Sequence, residues 1–186
     1  MLALSLAAVG LLSLSACGSD DDRLVVCSRA GVLYDASRLT LFGPGERTEA
    51  NIAYDAEITN ARVRCEYDGT QVVSKISFDI QAAAGPAATS AKQSFRYFVA
   101  VTELNQRVLD KRYQVWDAEL PAGQVVRVTR EIPNIAFSYA RLGRADLYEI
   151  LVGFDLTQDQ LAYNRSISPF DRPSLLNKVR RPTLPQ

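Results

Sequence analysis

Ile52, Tyr54, Ala56 and Ile58 are apolar and their neighbours are mostly polar, a period of two that predicts a strand with one buried face. The period resumes at Ala61, Val63, Cys65 and Tyr67, now on odd numbers. A slip of one residue sends every side chain to the opposite face, so a bulge or bend is expected near Thr59-Asn60. Tyr67-Asp68-Gly69-Thr70 follows, and an Asp-Gly pair between alternating runs signals a hairpin, because both central positions of a type I′ turn need positive φ. On the return strand Val72, Ile76, Phe78 and Ile80 share one face, while Val73, Lys75, Ser77, Asp79 and Gln81 share the other.

The stretch 82–91 is rich in small residues and centres on Gly85-Pro86, which predicts a loop. Phe95, Tyr97, Val99 and Val101 open the next strand, backed by Arg96, Phe98, Ala100 and Thr102. A turn near Asn105-Gln106 leads into a strand from Val108 to Trp116, which Leu120-Pro121-Ala122-Gly123 interrupts. Val126, Val128, Arg130 and Ile132 continue the alternation, and Leu147 to Phe154 is apolar at most positions. About seven strands separated by turn signals predict an all-β fold: an antiparallel sandwich of immunoglobulin-like or fibronectin-like type, with a small closed barrel as the alternative.

Thr157-Gln158-Asp159-Gln160 matches a capping box and predicts a short helix, packed on the sandwich edge through Leu156, Leu161 and Tyr163. Beyond it, residues 164–186 contain four prolines and little apolar periodicity, so an extended or disordered tail is expected.

The amino-terminal pattern is of another kind. Residues 2–14 form one apolar run. A bilayer span needs roughly 20 such residues, so the run suits the apolar region of an export signal better than a permanent helix. It ends at Leu14-Ser15-Ala16-Cys17, with Gly18 to Asp22 after it. These four residues resemble the lipobox of bacterial lipoproteins. The resemblance implies cleavage before Cys17 and a diacylglycerol on its sulfur, with 1–16 as signal peptide and 17–23 as a hydrated tether. Glycine rather than aspartate at position 18 implies sorting to the outer membrane, with the protein facing the periplasm. The body, 24–163, is similar between residues 27 and 163 to small uncharacterised lipoproteins of alphaproteobacteria. That similarity rests on the segments LYDASRLTLFGPG, YFVAV and LVGFDLTQDQLAYNR. It implies an accessory protein of the cell envelope and brings no catalytic residue or ligand.

With Cys17 assigned to the anchor, Cys27 and Cys65 remain, and an even pair in an exported chain reads as a disulfide. By chain entropy, a closed loop of about 39 residues is worth roughly 4 kcal/mol. Two thiols without a histidine do not suggest a metal site.

Composition narrows the chemistry. The chain of 186 residues has no histidine, which removes the Ser-His-Asp triad, the Cys-His pair and histidine metal ligands. Asp55 and Glu57 share a face of one strand, as a glycosidase carboxylate pair does, but the solvated face of a sheet is the simpler reading. No Ser-x-x-Lys occurs, Gly43-Pro44-Gly45 is a turn rather than a phosphate loop, and Asn164-Arg165-Ser166 is a chance sequon. Net charge is zero, yet residues 164–186 carry +4 and the remainder −4, too mild for a nucleic-acid-binding face. Arg165, Arg172, Lys178, Arg180 and Arg181 in that tail are candidates for binding a partner protein or anionic headgroups. Tyr97, Phe98, Tyr113 and Trp116 are either core or an exposed ligand platform. The sequence therefore points to a non-enzymatic, lipid-anchored interaction or accessory subunit, without a cofactor, beside other envelope proteins. A periplasmic binder of small ligands or glycans is the alternative.

Overall fold

The structure, a computed structural model, describes residues 27–68, 71–137, 147–168 and 171–176. Eight strands run in chain order among these residues: β1 (Arg29–Val32), β2 (Arg38–Phe42), β3 (Ile52–Asp68), β4 (Gln71–Ala84), β5 (Lys92–Glu103), β6 (Arg107–Glu119), β7 (Val125–Phe137) and β8 (Tyr148–Phe154). One helix, α1 (Gln158–Ser166), follows. The strands form two four-stranded sheets, ordered β1-β8-β5-β6 and β2-β3-β4-β7. The fold is thus the all-β sandwich that the alternation predicts, and its two separate sheets exclude the closed barrel. β1 lies parallel to β8, and the remaining pairings are antiparallel. β2, β3 and β4 follow one another within a single sheet, so the likeness to immunoglobulin domains stops at the two packed layers. The short strands β1 and β2, with no long alternation, went unread in the sequence.

Both inner faces meet in one core. Ala56, Ile58, Ile76, Phe78 and Ile80 come from one sheet, and Phe95, Ile150, Val152 and Phe154 from the other, all nearly devoid of solvent contact. Phe95 sits among aromatics, 5.5 Å from the Trp116 ring and 6.3 Å from Phe154. Phe78 meets the edge of Tyr97 at 5.6 Å. β5 is buried on its second face too: Phe98 and Ala100 pack on Ala36 and Leu156. Ala36 belongs to a 3-10 turn, Tyr34–Ala36, that lies close over β8. Gly153 permits this approach, since a Cβ there would stand 2.8 Å from the Ala36 methyl.

The expected break in β3 is present. Thr59 pairs with Asp79 and Arg62 with Ser77, so Asn60 and Ala61 share one space in the ladder. Asn60 takes φ 56°, and its amide donates to Asp79 Oδ2 at 2.7 Å. Thr129 donates to the other oxygen, and these two bonds hold the Asp79 carboxyl below the usual carboxylate range. The hairpin is also present, but Asp68 pairs with Gln71, leaving 69–70 between them, outside the described residues. The predicted small-residue loop is shorter than 82–91, because Ala82 to Ala84 continue β4 opposite Ala56, Asp55 and Tyr54.

The turn between β5 and β6 holds Leu104 at φ 53° and Asn105 at φ 55°. Left-handed backbone costs an L-residue other than glycine or asparagine about 1–2 kcal/mol. Leu104 is exposed and recovers little of this through packing. Leu104→Gly is therefore expected to raise stability by about 1 kcal/mol, read as a higher midpoint in thermal unfolding. An unchanged or lower midpoint would contradict the turn geometry.

Candidate functional site

The outward face of β3 carries a buried charge. Asp55 is fully buried and Arg38, on the neighbouring β2, is nearly so. Arg38 grips the carboxylate with two bonds, Nε to Oδ1 at 3.1 Å and Nη2 to Oδ2 at 2.6 Å. Thr40, directly opposite Asp55 in the ladder, donates to Oδ1 at 3.1 Å. Ser174 Oγ and the Leu175 amide donate to Oδ2 at 3.2 and 2.9 Å. Arg38 Nη2 also donates to Ser174 Oγ. A carboxylate offers about four acceptor positions, so these contacts saturate it. The solvated sheet face expected for Asp55 and Glu57 is corrected here: Ser174 to Leu176 close over Asp55, and Leu176 is itself buried. Glu57 accepts from Gln81 Nε2 at 2.7 Å, and Gln81 in turn accepts from Arg127. Asp55 is thus the anchor on which the C-terminal segment closes.

Helix α1 begins with the expected capping box. Thr157 Oγ1 accepts from the Gln160 amide, and Gln160 Oε1 accepts from the Thr157 amide at 2.8 Å. Its buried residue is Asn164, whereas Leu161 and Tyr163 are only partly covered. Tyr163 meets Phe42 edge-on at 5.5 Å and carries Arg47 over its ring, and burial pushes its hydroxyl above the ordinary value. Asn164 Nδ2 donates to the carbonyls of Asp35 and Arg38, both at 2.8 Å. The sequon nitrogen is thus consumed in the fold.

Contacts continue past the expected boundary at 163/164 as far as Leu175. Arg165 pairs with Asp35 at 2.7 Å, and Arg172 donates to the Asn164 carbonyl at 2.9 Å. Burial, then the neighbouring Arg38, lowers the pKa of Arg172 from its ordinary value. Arg165 and Arg172, the first two of the candidate partner-binding residues, thus also contact their own domain, and Arg165 keeps 61% of its side chain exposed. The physical reason is that a buried carboxylate and the carbonyls of Asp35 and Arg38 need donors, and the C-terminal segment brings them. Cys17, Lys178, Arg180 and Arg181 lie outside the described residues. Cys27 and Cys65 are bonded, with Cα atoms 5.7 Å apart. Their bridge joins the lead-in to β1 in one sheet to β3 in the other.

The four aromatics do not make a platform. Trp116, Tyr97 and Phe98 are buried, and Tyr113 alone is exposed. That removes the feature on which a glycan-binding surface rested. What the structure brings out instead is β6. It pairs with β5 alone among the described strands, and every residue from Arg107 to Val115 is exposed. Val108, Tyr113 and Val115 are about half accessible, at 59%, 45% and 53%. Arg96 and Lys111 stand over the Tyr113 ring at 4.4 and 5.0 Å, and Lys111 also lies 4.1 Å from the Phe98 ring centre. On the strand's other face, Arg112 pairs with Asp110 at 2.8 Å. The alternation signal marked this stretch as a strand, but alternation does not tell an edge strand from a central one.

No family model matches the chain, and no curated protein does. Among solved structures, the variable domain of the AgI/II polypeptide BspA of Streptococcus agalactiae aligns over 69% of this chain and 78% of that one. It is 7% identical, with a TM-score of 0.17. A likeness so slight carries nothing about shape or activity. The class of the protein is therefore what its own structure defines, a two-sheet β-sandwich closed by a C-terminal helix and the irregular segment Ser174 to Leu176.

Proposed function

We propose that the protein is a non-enzymatic interaction subunit of a cell-envelope assembly, tethered by lipid at Cys17 to the periplasmic side of the outer membrane. The observation that carries the interaction part is the exposed strand β6, with Tyr113 and Val115 on an edge that no described strand covers. An exposed edge strand offers unpaired backbone N–H and C=O groups to a partner, and Tyr113 and Val115 add apolar surface beside them. The lipobox Leu14-Ser15-Ala16-Cys17 supports the tether.

Two measurements on the full chain in cells test the halves separately. Cys17→Ser is expected to abolish acylation and leave the signal uncut, so that the protein runs at precursor size and loses its outer-membrane fractionation. Unchanged fractionation and unchanged size would remove the anchor. A photo-cross-linking residue at Tyr113 is expected to trap protein, whereas one at exposed Asp159 traps little. Equal trapping at both positions would remove the β6 surface.

A further inference from the structure

We infer that β6 pairs with β6 of a second copy, antiparallel, about a two-fold axis at Gln114. The inference deepens the proposed interaction surface by naming its partner, and it rests on that reading. From Asp110 to Glu119 β6 is regular against β5. Beyond, Val101 pairs with Asp110 and Thr102 with Val108, which leaves Leu109 as an extra residue and ends the straight edge.

Along the regular part the outward face reads Lys111, Tyr113, Val115, Asp117: positive, apolar, apolar, negative. Reversed and laid against itself about Gln114, this series is complementary at every position. Lys111 faces the second copy's Asp117, and Tyr113 faces its Val115, each contact occurring twice by symmetry. On the other face no like charges are opposed, Trp116 and Ala118 being buried in the core of their own sandwich. Gln114 meets Gln114 amide to amide, Arg112 meets Trp116, and Asp110 meets Ala118.

Neighbouring registers fail on the same criterion. An axis at Tyr113 sets Lys111 against Val115 and runs Asp117 into the bulge at Leu109. An axis at Val115 sets Tyr113 against Asp117. An axis at Arg112 opposes two guanidiniums. The charges of the strand thus act as they do on protected edges elsewhere, penalising casual pairing while leaving one self-match.

The ladder from 110 to 118 would add roughly eight to ten backbone hydrogen bonds. It would also join two four-stranded sheets into one continuous layer. A ladder of this size forms a small interface of the weak, reversible class, which a shared membrane surface populates through local concentration.

Cysteine and charge variants of the purified full chain test the pairing. Gln114→Cys is expected to give a disulfide-linked dimer on mild oxidation. The parent chain with its own cysteines serves as the blank, and Val108→Cys as an off-axis control. In sedimentation equilibrium, Lys111→Asp is expected to weaken dimerisation about tenfold by opposing two acids. The charge swap Lys111→Asp with Asp117→Lys restores it to within about threefold of the parent. Stronger cross-linking at Tyr113→Cys or Val115→Cys than at Gln114→Cys overturns the register. A parent chain that stays monomeric up to about 1 mM overturns the self-pairing. If it stays monomeric while a cross-linker at Tyr113 still traps a different protein in cells, the interaction surface stands and only the second copy falls.

Discussion

Asp55→Asn is expected to lower the stability of the sandwich by about 3–5 kcal/mol, because it leaves Arg38 charged and buried without a counter-ion. Arg38 and Asp55 are 7% and 0% exposed in their side chains, so water cannot take over the lost interaction. The same carboxylate holds Ser174 and the Leu175 amide, so the variant also frees the C-terminal segment. Two readings separate this from a general loss of stability. Hydrogen exchange at Leu175 rises by more than exchange at the core amides of β5, and chymotrypsin cuts sooner after Leu176, which is buried in the parent. The double variant Arg38→Met with Asp55→Leu loses less than Asp55→Leu alone, since it strands no charge. If Asp55→Asn melted with the parent and protected Leu175 equally, the clamp would have no energetic role.

Cys27→Ser with Cys65→Ser is expected to cost about 2–4 kcal/mol, the second large effect. The bridge spans 38 residues of sequence and lies between the sheets, so its loss releases the start of β1. β1 is four residues long and pairs only with β8 among the described strands, a poor hold by itself. Parent protein heated under reducing conditions is expected to match the double variant, with a midpoint about 10 °C below that of the oxidised parent. Coincident melts of oxidised and reduced parent would show that β1 is held without the bridge.

Much of the fold is legible along the chain because long strands with one wet face record their burial every second residue. The break at Asn60, the capping box at Thr157 and the Cys27–Cys65 pairing are local or arithmetical signals of this kind. The short strands β1 and β2 carry too few alternations to register. The turn residues Asp68 and Gly69 announced the hairpin, while the ladder placed Asp68 one position inside it.

Asp55 shows where such legibility ends. On β3 it occupies an outward position, and in a sheet with a free face that position is solvated. Its burial depends on Ser174 to Leu176, some 120 residues away, and no local pattern records so distant a cover. The proline-rich composition that argued for a free tail describes backbone preference, not the donors that Asn164, Ser174 and Leu175 supply to the domain. Trp116 and Tyr113 make the same point in reverse: two aromatics three positions apart on one strand, one in the core and one in water.

By itself the sequence determined the class of fold, the positions of the long strands, the helix start, the cysteine pair and the absence of histidine chemistry. Each is set by neighbours within a few residues or by composition. Only the tertiary structure decided which strand stands at an edge, which carboxylate is sealed and where the body ends. Those outcomes depend on what packs against an element from far along the chain, and burial of polar groups is settled by such distant partners.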